Sequence, residues 1–205
     1  MFFIFTYQMV GIMNDTKTTI LQKSLELFLQ KSYKEVTLTE IVTEVGVTKG
    51  AFYHYYKSKE EIFEESVRYL YSHFMITDFS TFPRASLKAF YKAYLMRLKE
   101  NNGLSENKDY NILLFIVEAR RRVASYFEIH AAQRKKEQTA WKAMVDQAKQ
   151  NKEINTTIPS RQIASMFLNL SDGVALNNIA LDNQDNALEE IMTDWDNLYK
   201  LLGGI

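Results

Sequence analysis

The sequence predicts an all-α protein, with a three-helix helix-turn-helix domain at its N-terminal end and a longer helical domain after it. Three observations carry this. Only seven glycines and two prolines occur in 205 residues. No run alternates apolar and polar residues as a half-buried strand would, and apolar residues recur every three or four positions nearly throughout. Three helix-capping patterns crowd into residues 37–61, which implies short helices meeting at steep angles.

Composition narrows the function classes. The 25 basic and 25 acidic residues cancel, so no global field draws the molecule to nucleic acid or to an anionic membrane, and any such role needs a local patch. A hydrophobic content of 46% fills a core. The absence of cysteine excludes disulfides, thiolate metal sites and cysteine nucleophiles, and suits the reducing cytoplasm, which is the expected location. The opening "MFFIFTYQMVGIM" is shorter than the roughly 20 residues that span a bilayer. It has no basic residue before Lys17 and no small-residue cleavage site. Two readings stay open for residues 1–13: a start-site artefact with translation beginning at Met13, or an arm, disordered or docked on the body or on DNA.

The elements follow in order. Ile20, Leu21, Ser24, Leu25 and Phe28 share one face of a first helix over about 16–31. "TLTE" at 37–40 reads as a capping box, with the Thr37 hydroxyl accepting a first-turn N–H and Glu40 reaching back. The short helix it opens turns Leu38, Ile41, Val42 and Val45 inward. Gly46 suits a left-handed turn, and Thr48 is the N-cap of a third short helix. "SKEE" at 58–61 opens a fourth helix through about Ile76, and Pro83 marks a break.

Longer amphipathic helices come next. Leu87, Tyr91, Tyr94, Leu95 and Leu98 stripe a fifth; "NNGLSENKD" is a polar loop; "YNILLFIVEA" is apolar nearly all round, as for a helix buried in a bundle. A helix over about 123–150 carries Phe127, Trp141, Met144, Val145 and Ala148. After Pro159, Ile163, Phe167, Leu170 and Val174 stripe one helix, and Leu188, Ile191, Met192, Trp195, Leu198, Tyr199 and Leu202 stripe the last. Leu168, Ala175 and Ile179 give the first of this pair a second apolar side. That side fits a self-associated interface better than central placement in the bundle.

Capped helix, glycine turn and capped helix over 37–56 form a helix-turn-helix, a motif whose second helix enters the DNA major groove. Helical spacing divides its aromatics. Phe52 and Tyr56 are four apart and share a core face, Lys49, Tyr53 and His54 lie off it, and Tyr55 is intermediate. Hydroxyls of threonine and tyrosine donate to phosphate oxygens, lysine supplies charge, and Gly50 permits close backbone approach. Residues 48–59 hold Lys49, Lys57 and Lys59 and no acid, three minus zero, or +3. The neutral chain therefore has a basic spot.

The span from Thr18 to Phe63, "SLELFLQKSYKEVTLTEIVTEVGVTKGAFYHYYKSKEEIF" in most of its length, resembles the DNA-binding domain of TetR-type (TetR/AcrR) transcriptional regulators. The specific elements are Phe28, Thr37, Glu40-Ile41, "GVTKG", "FYHYY" and "KSKEEIF". Carried over, the resemblance implies phosphate contacts from Thr37, Thr48, Tyr53, Tyr55 and Lys59, with Lys49, Gly50 and His54 nearest the bases. Two positions depart from the pattern. Ser32 stands where glycine is usual and would be strained in a left-handed conformation; Tyr56 replaces a phenylalanine, and its hydroxyl needs a partner or the surface.

The resemblance also implies the rest: residues 14–63 binding double-stranded operator DNA, residues 64–205 holding an unknown small-molecule effector, and a homodimer formed through the final two helices. Effector binding would change the spacing of two recognition helices and release a repressor. Pocket candidates are Tyr94, Phe115, Glu118, Trp141, Met144 and Phe167, although such stripes usually mean core. Glu118 in an apolar run needs a partner, which Arg120, Arg121 or Arg122 can supply. His73 and His130 are isolated, so no metal site is expected, nor a cofactor, nor a membrane partner. No phosphate loop, nucleophile elbow or metal spacing supports an enzyme. The competing readings are a helical interaction or ligand-binding protein without operator recognition, and an activator of the same fold.

Overall fold

A computed structural model of the chain describes residues 15–75, 78–101, 110–181 and 186–204. The opening apolar stretch, Ile76 and nearly all of "NNGLSENKD" lie outside the described residues. Among the described residues every element is helical: α1 (Thr16–Gln30), α2 (Leu38–Val45), α3 (Lys49–Tyr55), α4 (Lys59–His73), α5 (Leu87–Asn101), α6 (Ile112–Arg122), α7 (Tyr126–Gln150), α8 (Ser160–Ala180) and α9 (Ala187–Leu201). None is long and apolar enough to cross a membrane. The chain divides into two compact units, residues 15–75 with 110–130, and residues 78–101 with 131–204.

The first unit is built on α1. Ile20, Leu25 and Phe28 meet Ile41 of α2, Phe52 of α3 and Phe63 of α4, and all are essentially removed from solvent. Phe63 meets Phe28 edge-on with ring centroids 4.8 Å apart, and Phe115 of α6 at 5.4 Å. The backbone N–H of Asn111, the N-cap of α6, donates to the carbonyl of Leu29 at 2.7 Å. The compact unit thus takes in α6 and all of α4 beyond the motif.

Both departures from the family pattern are resolved locally. Ser32 is not in the left-handed region, where Lys152 is the one non-glycine among the described residues. Its N–H and hydroxyl both donate to the Glu35 carboxylate, at 2.9 and 2.6 Å, closing the turn after α1 without a glycine. Tyr56 donates its hydroxyl to the Lys17 carbonyl at 3.1 Å, and burial pushes the phenol up to about 12.

Two burial expectations are corrected. α6 is not enclosed on every side: Phe115 and Ala119 face α1 and α4, whereas Leu113 and Val117, one turn apart, are 37% and 44% exposed. Phe127 is 60% exposed, because in the first turn of α7 its neighbour Tyr126 takes the core-facing position; the Arg120 guanidinium lies 5.8 Å over the Phe127 ring.

The second unit packs α5, the remainder of α7, α8 and α9 around aromatic rings. Trp141 is surrounded by Phe90, Tyr94, Phe167 and Trp195, with centroids 5.0–5.3 Å away. Glu153, just past α7, accepts from the Leu87 and Lys88 N–H groups at 2.9 and 3.3 Å and from the Tyr199 hydroxyl at 3.0 Å. It thereby satisfies the start of α5 and ties it to α9. On α8, Leu168 belongs to this core, Ala175 is half-buried, and Met166 and Leu176 are exposed; the side chain of Ile179 lies outside the described set.

Candidate nucleic-acid interface

Local sequence positions α2 and α3 residue by residue. Thr37 Oγ1 accepts from the Glu40 N–H at 3.1 Å while the Glu40 carboxylate accepts from the Thr37 N–H at 3.5 Å, the reciprocal pair of a capping box. Glu40 also pairs with Lys31, which holds its carboxyl below the ordinary range. Gly46 takes φ 75° and closes α2, its N–H donating to the Thr43 carbonyl at 3.1 Å. A Cβ at Gly46 would meet nothing within 4 Å, so backbone conformation and not space requires the glycine.

Thr48 then caps α3, its Oγ1 accepting from the Ala51 N–H at 3.1 Å. As at Thr37, the cap uses a lone pair and leaves the hydroxyl proton free for an outside acceptor. Phe52 is fully buried and holds α3 from within, Tyr56 is 2% exposed, and between them Tyr53 is 54% exposed. Lys49, Gly50, His54 and Lys57 are exposed with it, and Tyr55 is half-buried against the core beside His54, ring centroids 4.8 Å apart. Six expected contact residues, Thr48, Lys49, Gly50, Tyr53, His54 and Tyr55, thus come together on or beside α3, and Thr37 is exposed at the start of α2.

Lys59, at the start of α4, is tied back to the turn before α2. Its ammonium donates to the carbonyls of Tyr33 and Val36, both at 2.8 Å, and lies 4.1 Å over the Tyr33 ring. These two carbonyls take two of its three ammonium protons. Its half-burial pushes the ammonium below the usual lysine range, as expected of a group drawn out of water.

The expected pocket residues fall in two places. Tyr94, Trp141, Met144 and Phe167 share the core of the second unit, whereas Phe115 and Glu118 belong to the first. Glu118 pairs with Arg122 at 2.5 Å. Met144 lines a cavity of about 60 Å³ with Phe79, Phe82 and Phe90. The Trp141 indole N–H is buried with no hydrogen-bond partner among the described residues, while that of Trp195 donates to the Phe167 carbonyl at 2.8 Å. Sequence reasoning missed Glu137, whose carboxylate meets Tyr94, Gln133 and Arg134 at 3.4, 3.2 and 3.5 Å. Burial pushes it above the usual carboxylate range. It directly follows "RKK" at 134–136, which reads as a solvated face.

Residues 20–66 match the family model described as bacterial regulatory proteins, tetR family. These residues form a TetR-type domain. The TetR-type domain is 40% identical over 57 residues to the HTH-type transcriptional regulator YerO of Bacillus subtilis (strain 168), covering 28% of this chain and 20% of that protein. It is 34% identical over 59 residues to IcaR of Staphylococcus epidermidis, described as the negative transcriptional regulator of the biofilm operon icaADBC, covering 29% of this chain and 32% of that one. These alignments span a third or less of the relatives' own lengths. Beyond the TetR-type domain the likeness is of fold: a TetR transcription regulator from Haloarcula marismortui superimposes with a TM-score of 0.74 at 18% identity, over 92% of this chain and 98% of that one.

Proposed function

We propose that the chain is a transcriptional regulator that binds double-stranded operator DNA through α3 and α2, most simply as a repressor. The observation that carries this is the division of α3. Phe52 fixes the helix from inside while Lys49, Gly50, Tyr53 and His54 project together, a seven-residue helix with polar, donor-rich chemistry on its free side. Thr37, Thr48, Tyr53, Tyr55 and Lys59 serve phosphates, and Lys49, Gly50 and His54 approach the bases. The repressor assignment draws on IcaR, named as a negative regulator.

The molecule acts as a homodimer through α8 and α9, where Met166, Leu176 and Leu201 are exposed apolar side chains. Two heads on one duplex multiply affinity, so a small change in their spacing suffices for release. The effector is an apolar or aromatic small molecule admitted beside the Trp141 core, and the protein works in the cytoplasm.

Selection of duplexes from a random-sequence pool by the full-length protein tests the reading. A recovered consensus with two related half-sites is expected, bound about tenfold or more weaker after Lys49→Ala or Tyr53→Ala. Recovery of no consensus would overturn it.

A further inference from the structure

The segment that leads into α5 packs along α7 within the second unit. Phe82 is 6% exposed; its ring centroid lies 5.5 Å from that of Phe90 on α5 and 5.4 Å from that of Phe79, and Phe79 stacks in turn on Tyr94 at 6.3 Å. The Gln147 side-chain amide donates to the Arg84 carbonyl, which fastens the end of this strap to α7. Beneath the strap lies the cavity of about 60 Å³, with apolar walls from Phe79, Phe82, Phe90 and Met144 and polar lining from Arg84 and Gln147. On α7 the space is left by Ala140 and Ala143, where larger side chains would fill it.

Charge singles out Arg84. In the adjoining turn of α7, Asp146 is paired with Lys142 at 2.6 Å, and Glu153 is committed to the start of α5 and to Tyr199. The Arg84 side chain is exposed and makes no hydrogen bond or ion pair among the described residues. An apolar cavity bordered by a free guanidinium is matched by a molecule with an apolar body and one negative charge. Size narrows the choice further. A cavity that admits benzene measures about 150 Å³, so this one holds an apolar group of about three or four carbons and not a ring.

We infer that the cavity beneath Phe79 and Phe82 is a binding site for a short branched monocarboxylic acid, whose apolar end enters between Phe90 and Met144 and whose carboxylate meets Arg84 at the mouth. The inference rests on the effector reading above, to which it gives a place and a chemical class. A bound acid bridges the strap and α7, and so strengthens their contact.

The test titrates the full-length protein with isovalerate at constant ionic strength and follows tryptophan emission. Both tryptophans lie in the core of this unit, and the Trp141 ring meets Phe90 edge-on at 5.1 Å. A saturable change is expected, with isovaleramide, of the same shape and no charge, binding about fivefold more weakly because the guanidinium is exposed. Arg84→Met should bring isovalerate down to the affinity of the amide and leave the amide unaffected. Ala143→Leu, at an exposed position, fills the cavity and should weaken both ligands about tenfold, and benzoate should bind the wild type about tenfold more weakly than isovalerate does. Circular dichroism verifies that each variant is folded.

No saturable change up to about 50 mM isovalerate, equal binding of acid and amide, or wild-type affinity in Arg84→Met or Ala143→Leu would each overturn the inference. The titration contains no DNA, so a protein that binds isovalerate as expected yet selects no duplex would overturn the proposed regulator and leave the site standing.

Discussion

Phe52 and Tyr53 adjoin in the chain, yet one is fully buried and the other 54% exposed, because successive helical residues point about 100° apart. Their substitutions should differ accordingly. Phe52→Ala opens a cavity under α3 and is expected to cost about 3–5 kcal/mol in urea unfolding, whereas Tyr53→Ala should fall within about 0.5 kcal/mol of the wild type. Equal costs would contradict the division of the helix. This much was legible in the sequence, since spacing alone separates the two faces. The fate of Lys59 was not, because its acceptors lie 23 and 26 residues earlier in the chain. Glu137 was hidden for a similar reason: its basic neighbours mark a solvated face, and only the packing of Tyr94 against α7 shows it to be half-enclosed.

Glu137 also supplies a pH prediction. Its carboxyl is raised above the ordinary value of 4.5, chiefly by burial, with the Gln133 and Arg134 contacts working in the opposite direction. A raised carboxyl contributes stability that is fully present below the unfolded value and is lost as pH rises through the folded one. Glu137→Gln should therefore gain on the wild type between pH 4 and pH 7 in urea unfolding; a difference independent of pH would contradict this. Glu40 and Glu64 are held below the ordinary range, the first chiefly by Lys31 and the second by Arg68. They act in the reverse sense, losing their contribution as pH falls, but are common to both proteins and cancel from the comparison.

At the scale of elements, α2 and α3 begin and end where their caps require. Thr37, Gly46 and Thr48 each act within four residues of their own position, and chemistry so local is readable without tertiary information. Gly46→Ala tests this directly: an added Cβ meets no atom within 4 Å, so any loss comes from holding alanine at φ 75°. About 1–2 kcal/mol is expected in urea unfolding; no loss would show that the turn relaxes. α6 was legible as a helix but not in its burial. Its composition is apolar all round, and which sides find partners depends on α1 and α4 through Phe115, while Leu113 and Val117 find water. The same non-local dependence divides the six pocket candidates between two units, since helical periodicity marks an inward face without saying which core it enters.

At the scale of the whole molecule, a neutral chain concentrates exposed donors and Lys49 on one short helix, and α8 carries the exposed Met166 and Leu176. If α8 and α9 form the dimer, Leu176→Lys should yield a monomer by sedimentation and bind the selected duplex at least about a hundredfold more weakly, through loss of the second head. A dimer unaffected by this change would place the interface elsewhere. Residues 18–63 carried enough ordered pattern to imply the TetR-type domain from sequence. The second unit offered periodicity and no comparable motif, which is why its helices were readable while no binding residue was.

The most direct measurement is the salt dependence of anisotropy for the full-length protein on its selected duplex, compared with Lys49→Ala and Tyr53→Ala. Duplex binding through α3 predicts a steep linear fall of log K with log salt, weaker binding and relaxed sequence preference for Lys49→Ala, and weaker binding at an unchanged slope for Tyr53→Ala. Salt-independent binding, or variants that match the wild type throughout, would contradict it.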